Sequence, residues 1–237
     1  MEYYYTPKEN INKNYLYIIG DERKHLAKVL RKKIGDKIEV TDGELSVYEC
    51  KIIEIEKERI KCEIINKKHN VNEPALKIRL FIGQLRNHDR FEFAIEKAVE
   101  LGVNQIYPVI SKYTVTNEKL NETKLKRLSK IIISAMSQSQ RCFLPILHKS
   151  VSFDELLELT RNDKEKIVMY EFSGSENKLD EKISSDTINL LIGPEGGFSE
   201  DEINQLKNNG WKVKSLGERK LRAETAAIVS LYRILNN

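Results

Sequence analysis

The sequence changes its periodicity near residue 70, and this change limits the available folds more than any other feature. Before it, stretches such as 59–65 alternate apolar and polar residues, the period of two typical of half-buried strands. After it, strand-like runs alternate with helix-like segments, which predicts a mainly parallel sheet with helical crossovers. The segment 67–74 has no periodicity and ends in a proline. We therefore predict a small β-barrel domain at 1–70 and an α/β domain at 74–237.

Composition and the cysteine pattern narrow the class of protein. The 237 residues carry a net charge of +4, with 32% charged and 40% hydrophobic residues, which excludes a membrane protein and a disordered chain. The three cysteines form no C-x-x-C pair and the four histidines have no ligand spacing, so we expect no disulfides and no metal. The start does not resemble a signal peptide, and no apolar run could span a bilayer. We expect a soluble, cytoplasmic protein that makes no membrane contact.

Local signals predict where the helices lie. In the first domain, residues 22–32 are predicted to be a helix with Leu26, Val29 and Leu30 on its apolar side. In the second domain, two serines each precede a glutamate by three residues, and this capping box predicts a helix start. The two boxes are Ser152 with Glu155 and Ser199 with Glu202; other helices are predicted at 91–101, 120–140 and 223–235, and strands at 76–82, 103–110, 167–172, 188–192 and 211–216.

A glycine-rich loop follows the predicted strand 188–192. It reads Gly-Pro-Glu-Gly-Gly at 193–197, and its glycines let the backbone approach a ligand closely and adopt positive φ. Ligands of open α/β sheets bind at the carboxyl ends of the strands, where this loop is expected. The spacing fits neither G-x-G-x-x-G nor a P-loop, and Glu195 would repel a phosphate. The loop therefore favours a neutral or cationic ligand, with an ordinary strand-to-helix turn as the alternative.

A second loop, 216–226, also leads from a strand into a helix. Glu224 in the first helical turn complements the helix dipole, so capping explains it. Arg222 opposes that dipole, and another interaction must favour it. An anionic ligand or transition state is one candidate, and a salt bridge to Glu195 or Glu224 is the structural alternative.

The two loops together resemble the RsmE family, which methylates N3 of a uridine in 16S ribosomal RNA and belongs to the SPOUT superfamily. The resemblance covers nearly the whole chain in the expected order. Many relatives have Glu at position 137 and Gly at position 140, where this chain has Ser137 and Gln140. The matching stretches are LLIGPEGGFSEDEI at 190–203, LGERKLRAETAA at 216–227, HLAKVLR at 25–31, DRFEFAIEKAVELGV at 89–103 and SQSQR at 137–141.

This resemblance implies a fold, a cofactor and a partner. It implies an N-terminal PUA-like β-barrel and a C-terminal SPOUT α/β domain tied in a deep trefoil knot. It also implies S-adenosylmethionine as cofactor, 16S rRNA of the small ribosomal subunit as substrate, and a homodimer. The cofactor contacts carried over from the family motifs are Leu191, Ile192, Gly193, Pro194, Glu195, Gly196, Gly197, Leu216, Gly217, Leu221, Arg222, Glu224, Thr225 and Ala226.

Methyl transfer to uracil N3 requires help with the N3 proton or with the anion that its loss leaves. A cation aimed at the developing negative charge would stabilise the transition state, and Arg222 is the candidate. Glu224 or water would take the proton. Orienting Arg222 or capping the helix explains Glu224 equally well.

Clustered cations predict contacts to RNA phosphates. Residues 23–37 carry seven Lys or Arg against Asp36, and residues 111–150 carry eight against two glutamates. Either cluster could instead be a solvated helix face. Contacts of these cations with phosphates would position RNA on the protein. The predicted RNA-binding residues are Arg23, Lys24, Lys28, Arg31, Lys32 and Lys33 in the first domain, with Arg86, Arg90 and Arg141 nearer the active site.

Two other functions remain open from the sequence. The chain could be a SPOUT methyltransferase that acts on another RNA or another atom. It could also be a non-catalytic RNA-binding or ribosome-assembly factor that retains the fold, and binding of S-adenosylhomocysteine would separate these. A Rossmann oxidoreductase is disfavoured because the glycine spacing is wrong and Glu195 opposes a phosphate.

Overall fold

The computed structural model describes residues 2–115, 118–172, 177–179 and 183–236. They form two compact units: residues up to Glu73 together with Ile133–Leu144, and Pro74–Ile132 together with the residues from Pro145 onward. Nothing in the sequence indicated that Ile133–Leu144 packs with the first unit. The sequence-based boundary between 1–70 and 74–237 stays a prediction.

The first unit is a five-stranded sheet with the strand order β1-β3-β4-β5-β2. All pairs are antiparallel except β1 with β3. The inward positions of the alternating strands, such as Ile60 and Cys62, are fully buried in one apolar cluster. The elements are β1 (Tyr4–Tyr5), a 3-10 turn (Lys8–Asn10), β2 (Tyr15–Ile19), α1 (Gly20–Lys24), a π-helical turn (His25–Val29), β3 (Lys37–Thr41), β4 (Ser46–Ile55) and β5 (Arg59–His69).

The helix predicted at 22–32 is wrong in its extent and in its apolar side. It is a five-residue α-helix followed by the π-helical turn, which ends because Arg31 adopts a positive φ of 52°. Leu26 is fully buried in the core, but Val29 and Leu30 are exposed. Periodicity alone could not show that the α-helix gives way to a π-helical turn, which leaves Val29 and Leu30 outside the core.

A buried ion pair fastens Ile133–Leu144 to the rest of the first unit. The Arg141 guanidinium lies 2.7 Å from the Glu73 carboxylate, and the two side chains are 3% and 4% exposed. The same carboxylate accepts hydrogen bonds from the backbone N–H groups of Cys142 and Phe143, at 2.8 and 2.9 Å. Before this turn, Gln140 has a positive φ of 57°, a conformation that favours glycine. Arg141 is therefore a structural residue in this conformation.

The second unit is a parallel sheet with helices between its strands. Its order is β12-β10-β11-β6-β7-β8, and the short β9 also pairs with β7. Every pair within it is parallel, as the alternation of strands and helices predicted. The elements are β6 (Lys77–Gly83), α2 (His88–Glu100), β7 (Gln105–Ile110), α3 (Glu122–Gln138), β8 (Ile146–Leu147), β9 (Val151–Ser152), α4 (Phe153–Leu159), β10 (Lys166–Met169), β11 (Thr187–Ile192), α5 (Glu200–Asn208), β12 (Lys212–Lys214) and α6 (Ala223–Asn236). The last turns of α3, from Ile133 onward, belong to the first unit.

Both predicted capping boxes are confirmed. Ser152 begins α4 and Ser199 begins α5, and in each box the serine side chain accepts a hydrogen bond from the glutamate N–H while the glutamate side chain accepts one from the serine N–H. The last strand, predicted at 211–216, is shorter: the Trp211 N–H donates to the Leu206 carbonyl of α5 at 3.0 Å and not to the sheet. Within the described ranges, no helix is long and apolar enough to cross a membrane.

Replacing Arg141 by Ala should lower the free energy of unfolding by about 3–5 kcal/mol, because Glu73 would keep a buried charge without its partner. Urea unfolding of R141A beside the unaltered protein measures this difference. The matched control is K8A, which removes the exposed pair of Lys8 with Glu44 and should leave the midpoint unchanged. An R141A midpoint equal to that of the unaltered protein would contradict the structural role of the pair.

Candidate active site

The two loops singled out in the sequence meet at one edge of the parallel sheet. β10 lies between β11 and β12, so the loops that follow β11 and β12 leave the sheet on either side of β10. A cavity of about 340 Å³ opens between them. Its walls are Arg90, Met169, Tyr170, Glu171, Ile192, Gly193, Pro194, Glu195, Gly197, Phe198, Ser215, Leu216, Gly217, Arg219, Lys220, Leu221, Arg222, Ala223 and Ala226.

Close backbone packing explains the glycines around this cavity. A Cβ at Gly83, the last residue of β6, would overlap the backbone nitrogen of Pro194. A Cβ at Gly196 would lie 2.7 Å from Cβ of Tyr113. Gly197 and Gly217 have positive φ values of 68° and 115°, which side chains disfavour. The glycine-rich loop is thus pressed against β6, which fixes this wall of the cavity.

An arginine and two carboxylates join three distant segments beside the cavity. Arg90, in the first turn of α2, donates two hydrogen bonds of 2.8 and 2.7 Å to the two carboxylate oxygens of Glu224 at the start of α6. Its guanidinium also lies 3.9 Å from the carboxylate of Glu195. The backbone N–H of Arg86 donates to that same carboxylate at 3.1 Å. The hydrogen bonds from Arg90 hold the pKa of Glu224 below its ordinary value.

Arg222 is exposed at the rim of the cavity. Its guanidinium forms no ion pair or hydrogen bond with any residue that the structure describes. The salt bridge to Glu195 or Glu224 that the sequence left open is therefore not formed, since Arg90 takes Glu224 and lies beside Glu195. Its positive charge still helps to lower the pKa of Glu224. A free cation at the rim can act on an anionic group of a ligand.

The cavity and the predicted cofactor residues overlap without being identical. Four predicted residues do not line it: Leu191 is buried in the sheet, Gly196 packs on Tyr113, Glu224 is buried and paired with Arg90, and Thr225 is exposed on α6. The sequence analysis missed several lining residues because strand order cannot be read from periodicity. The missed residues are Met169 at the end of β10, Tyr170 and Glu171 after it, Phe198, Ser215, Ala223, and the cations Arg219 and Lys220.

The predicted RNA-binding cations divide into four groups. Arg23 donates to the Glu56 carbonyl, at 2.6 Å for the shorter bond, and Lys24 pairs with Asp21, so both have local structural partners. Arg141 is buried with Glu73, so it cannot face RNA in this conformation. Within the described part of the chain, the remaining first-unit cations form no ion pairs; they are Lys28, Arg31, Lys32 and Lys33. Arg86 is exposed, and Arg90 lines the cavity.

Among the described residues, no cluster of three or more His, Cys, Asp or Glu side chains could hold a metal ion.

Comparison with known proteins defines the class of protein. Residues 72–235 match the family described as an RNA methyltransferase domain, and residues 18–65 match the RNA methyltransferase PUA domain. The chain thus has the domains of an RNA methyltransferase with an N-terminal PUA domain. The predicted α/β fold class is confirmed, while the deep trefoil knot stays a prediction.

Individual relatives narrow the class to one family. The chain is 38% identical to the ribosomal RNA small subunit methyltransferase E of Mesomycoplasma hyopneumoniae, over 75% of this chain and 77% of that protein. It is 32% identical to that of Buchnera aphidicola, over 94% and 89%. The crystal structure of the Neisseria gonorrhoeae enzyme bound to S-adenosyl methionine superimposes with a TM-score of 0.88 at 30% identity, covering 98% of this chain and 95% of that one. The chain belongs to the ribosomal RNA small subunit methyltransferase E family.

The pair of Arg90 with Glu224 should make stability depend on pH. Because the folded protein lowers the pKa of Glu224, the contribution is fully present above an ordinary glutamate pKa of about 4 and is lost as the pH falls through the lowered value. The unaltered protein should therefore melt above E224Q at neutral pH, and the difference should shrink in acid. Thermal unfolding across pH measures it. E158Q, which removes an exposed pair with Arg161, should show no such trend. A difference that stays constant or grows in acid would contradict the account.

Proposed function

We propose that this chain transfers a methyl group from S-adenosylmethionine to N3 of a uridine in 16S ribosomal RNA of the small ribosomal subunit, and that it does so in the cytoplasm. The observation that carries the proposal is the rim of the cavity between the two glycine loops, where Arg222 is exposed and has no partner among the described residues. The family of the chain and its PUA domain support RNA as the substrate.

The residues around the cavity fit S-adenosylmethionine. Its volume of about 340 Å³ lies within the usual range of about 300–1,000 Å³ for small-molecule sites. The apolar side chains of Ile192, Leu216 and Leu221 suit the adenine ring, and the carboxylates of Glu171 and Glu195 suit the cationic end. No phosphate-binding loop is needed, because this cofactor has no phosphate. When bound, S-adenosylmethionine supplies an electrophilic methyl group.

The contacts that we propose combine the two loops with their flanking residues. Main-chain groups of the glycine-rich loop hold the cofactor, since the cavity wall there is largely backbone. Residues of the sequence-based set that lie behind the wall hold the loops in place. The proposed set is Leu191, Ile192, Gly193, Pro194, Glu195, Gly196, Gly197, Leu216, Gly217, Leu221, Arg222, Glu224, Thr225 and Ala226.

Arg222 is the residue that we assign to the chemical step. Uracil N3 carries a proton at neutral pH, and loss of this proton leaves negative charge on the ring. A guanidinium that is not neutralised by a carboxylate stabilises that charge more than a paired one does. A preorganised donor of this kind contributes about 10²- to 10³-fold to the rate.

Glu224 is a positioning residue in this proposal. Both of its carboxylate oxygens accept hydrogen bonds from Arg90, and its pKa is lowered, so it is a weak proton acceptor. It holds Arg90 at the cavity wall, where a second cation can face the substrate. Of the two acceptors that the sequence left open, water therefore takes the N3 proton.

The proposed assembly is a homodimer. α2 and α6 pack against each other in the second unit. Phe93 on α2 and Tyr232 on α6 remain 45% and 59% exposed, and large apolar side chains on neighbouring helices suit contact with a second copy. Both helices also carry the Arg90–Glu224 pair, so a dimer contact there would lie close to the active site.

Replacing Arg222 by Ala should lower methyl transfer by about 10²- to 10³-fold while S-adenosylhomocysteine still binds. Small-subunit RNA is incubated with labelled S-adenosylmethionine, its nucleosides are separated by mass, and calorimetry follows cofactor binding. The unaltered protein should produce 3-methyluridine, and R233A, at the far end of α6, should do the same. Turnover of R222A within a few-fold would remove Arg222 from the chemical step. Absence of any methylated uridine with the unaltered protein would sink the proposed function.

Replacing Gly83 by Ala should weaken S-adenosylhomocysteine binding by about 10- to 100-fold, because the new Cβ would displace Pro194 and the glycine-rich loop. Calorimetry measures the affinity, and circular dichroism checks that G83A is folded. The control is G20A, in the first unit, where a φ of 66° makes alanine unfavourable but a Cβ would meet no atom within 4 Å. G20A should therefore lose stability and keep its cofactor affinity. Normal affinity in a folded G83A would show that the loop does not hold the cofactor.

A further inference from the structure

The segment 28–34 of the first unit combines exposed apolar side chains with cations. Val29 and Ile34 are 66% and 65% exposed, and Leu30 is 39% exposed. Between them lie Lys28 and the run 31–33, and the segment contains no acidic residue. Three exposed aliphatic side chains within seven residues concentrate apolar surface beside four positive charges. Concentrated apolar surface of this kind marks an interaction site.

The exposed side chains belong to a loop, 28–34, that is anchored on both sides. Leu26 anchors the segment in the core with no exposed surface. The N–H of Lys32 donates to the Leu26 carbonyl at 3.0 Å, which closes the turn. Beyond it, Gly35 N–H donates to the Ile52 carbonyl at 2.8 Å, which ties the loop to β4. Backbone hydrogen bonds therefore fix the segment at both ends, and its exposed side chains have defined positions.

The turn itself is strained in a way that glycine would relieve. Arg31 has a φ of 52°, a left-handed conformation that residues with a Cβ seldom adopt. The residues before it form a π-helical turn, a feature that is often found at functional sites. Arg31 therefore places a cation at a position where a glycine would fold more easily.

Charge and apolar surface together select the partner. The four cations of the segment have no ion-pair partner in the ranges that the structure describes, so they favour a polyanion. Phosphates alone would not explain Val29 and Ile34, but unstacked bases present apolar faces between phosphates. Apolar side chains such as Leu and Ile are known to insert between base steps. A regular RNA duplex keeps its bases stacked and offers no such faces.

We propose that Val29 and Ile34 contact the faces of unstacked bases while Lys28 and Arg31–Lys33 contact the flanking phosphates. The segment is therefore a reader of single-stranded or junction RNA. The inference rests on the proposed function for its choice of RNA, and it adds a structural preference that charge alone would not create.

The test uses the full chain and two RNA probes. One is a single strand that carries 2-aminopurine, whose fluorescence rises when the base unstacks, and the other is a hairpin duplex of the same composition. The unaltered protein should prefer the single strand and raise its fluorescence. V29S/I34S should bind the strand about tenfold more weakly without the fluorescence rise. Its salt dependence should be unchanged, because its cations remain.

Two variants separate the apolar contribution from other effects. I65S, which alters an apolar residue 52% exposed on β5, should behave like the unaltered protein. R31E/K32E should instead flatten the salt dependence. The proposal is overturned if V29S/I34S binds the single strand normally, or if the unaltered protein prefers the duplex or binds neither probe. Binding to phosphatidylserine vesicles is measured with the same variants. A loss seen with V29S/I34S only on vesicles, and not on RNA, would also overturn the proposal. Methyl transfer by the unaltered protein, measured in parallel, tests the proposed function separately from these binding results.

Discussion

The hydrogen-bonded ion pair between Arg90 and Glu224 is the contact on which the active site depends. It joins the start of α2 to the start of α6, 134 residues apart in sequence, and the same guanidinium lies beside Glu195 in the glycine-rich loop. Each segment alone is a common strand-to-helix connection. Held together by one guanidinium, they give the cavity a fixed wall and leave Arg222 without a carboxylate partner among the described residues.

The parallel sheet explains why these segments meet. Because β11 and β12 flank β10 and all three strands are parallel, the connections after β11 and β12 reach the same edge of the sheet. Gly83 then lets β6 pack directly against Pro194, so the loop cannot move toward the sheet without a clash. The sheet supplies proximity and the ion pair supplies position. A pre-positioned site of this kind needs little rearrangement when a ligand enters, which is the general condition for electrostatic stabilisation of a transition state.

Some of this could be predicted from the sequence and some could not, for physical reasons. The capping boxes at Ser152 and Ser199 were predicted correctly because they depend on residues three positions apart. The two loops were recognisable because glycine clusters have local conformational consequences. The partner of Arg141 was not, because Glu73 lies 68 residues away and only the fold brings them together. The same limit hid Met169, Tyr170 and Glu171, whose place beside the loops follows from strand order.

The first unit shows a similar limit at 28–34, where a helical pattern conceals a turn. Its cations were recognisable as a cluster, but only the structure shows that Val29 and Ile34 stand outside the core with them. The two units thus offer different chemistry: the second has a cavity walled by backbone with the Arg222 guanidinium at its rim, and the first has a basic loop with apolar side chains. Each feature can be tested without the other.

A crystal structure with S-adenosylhomocysteine is the most direct measurement of the central claim, that the two loops form the cofactor site. The account predicts ligand density between the glycine-rich loop and residues 216–226, with Arg90 still paired to Glu224 and Arg222 free at the rim. Density elsewhere on the second unit, or a bound ligand that requires Arg90 to leave Glu224, would contradict it.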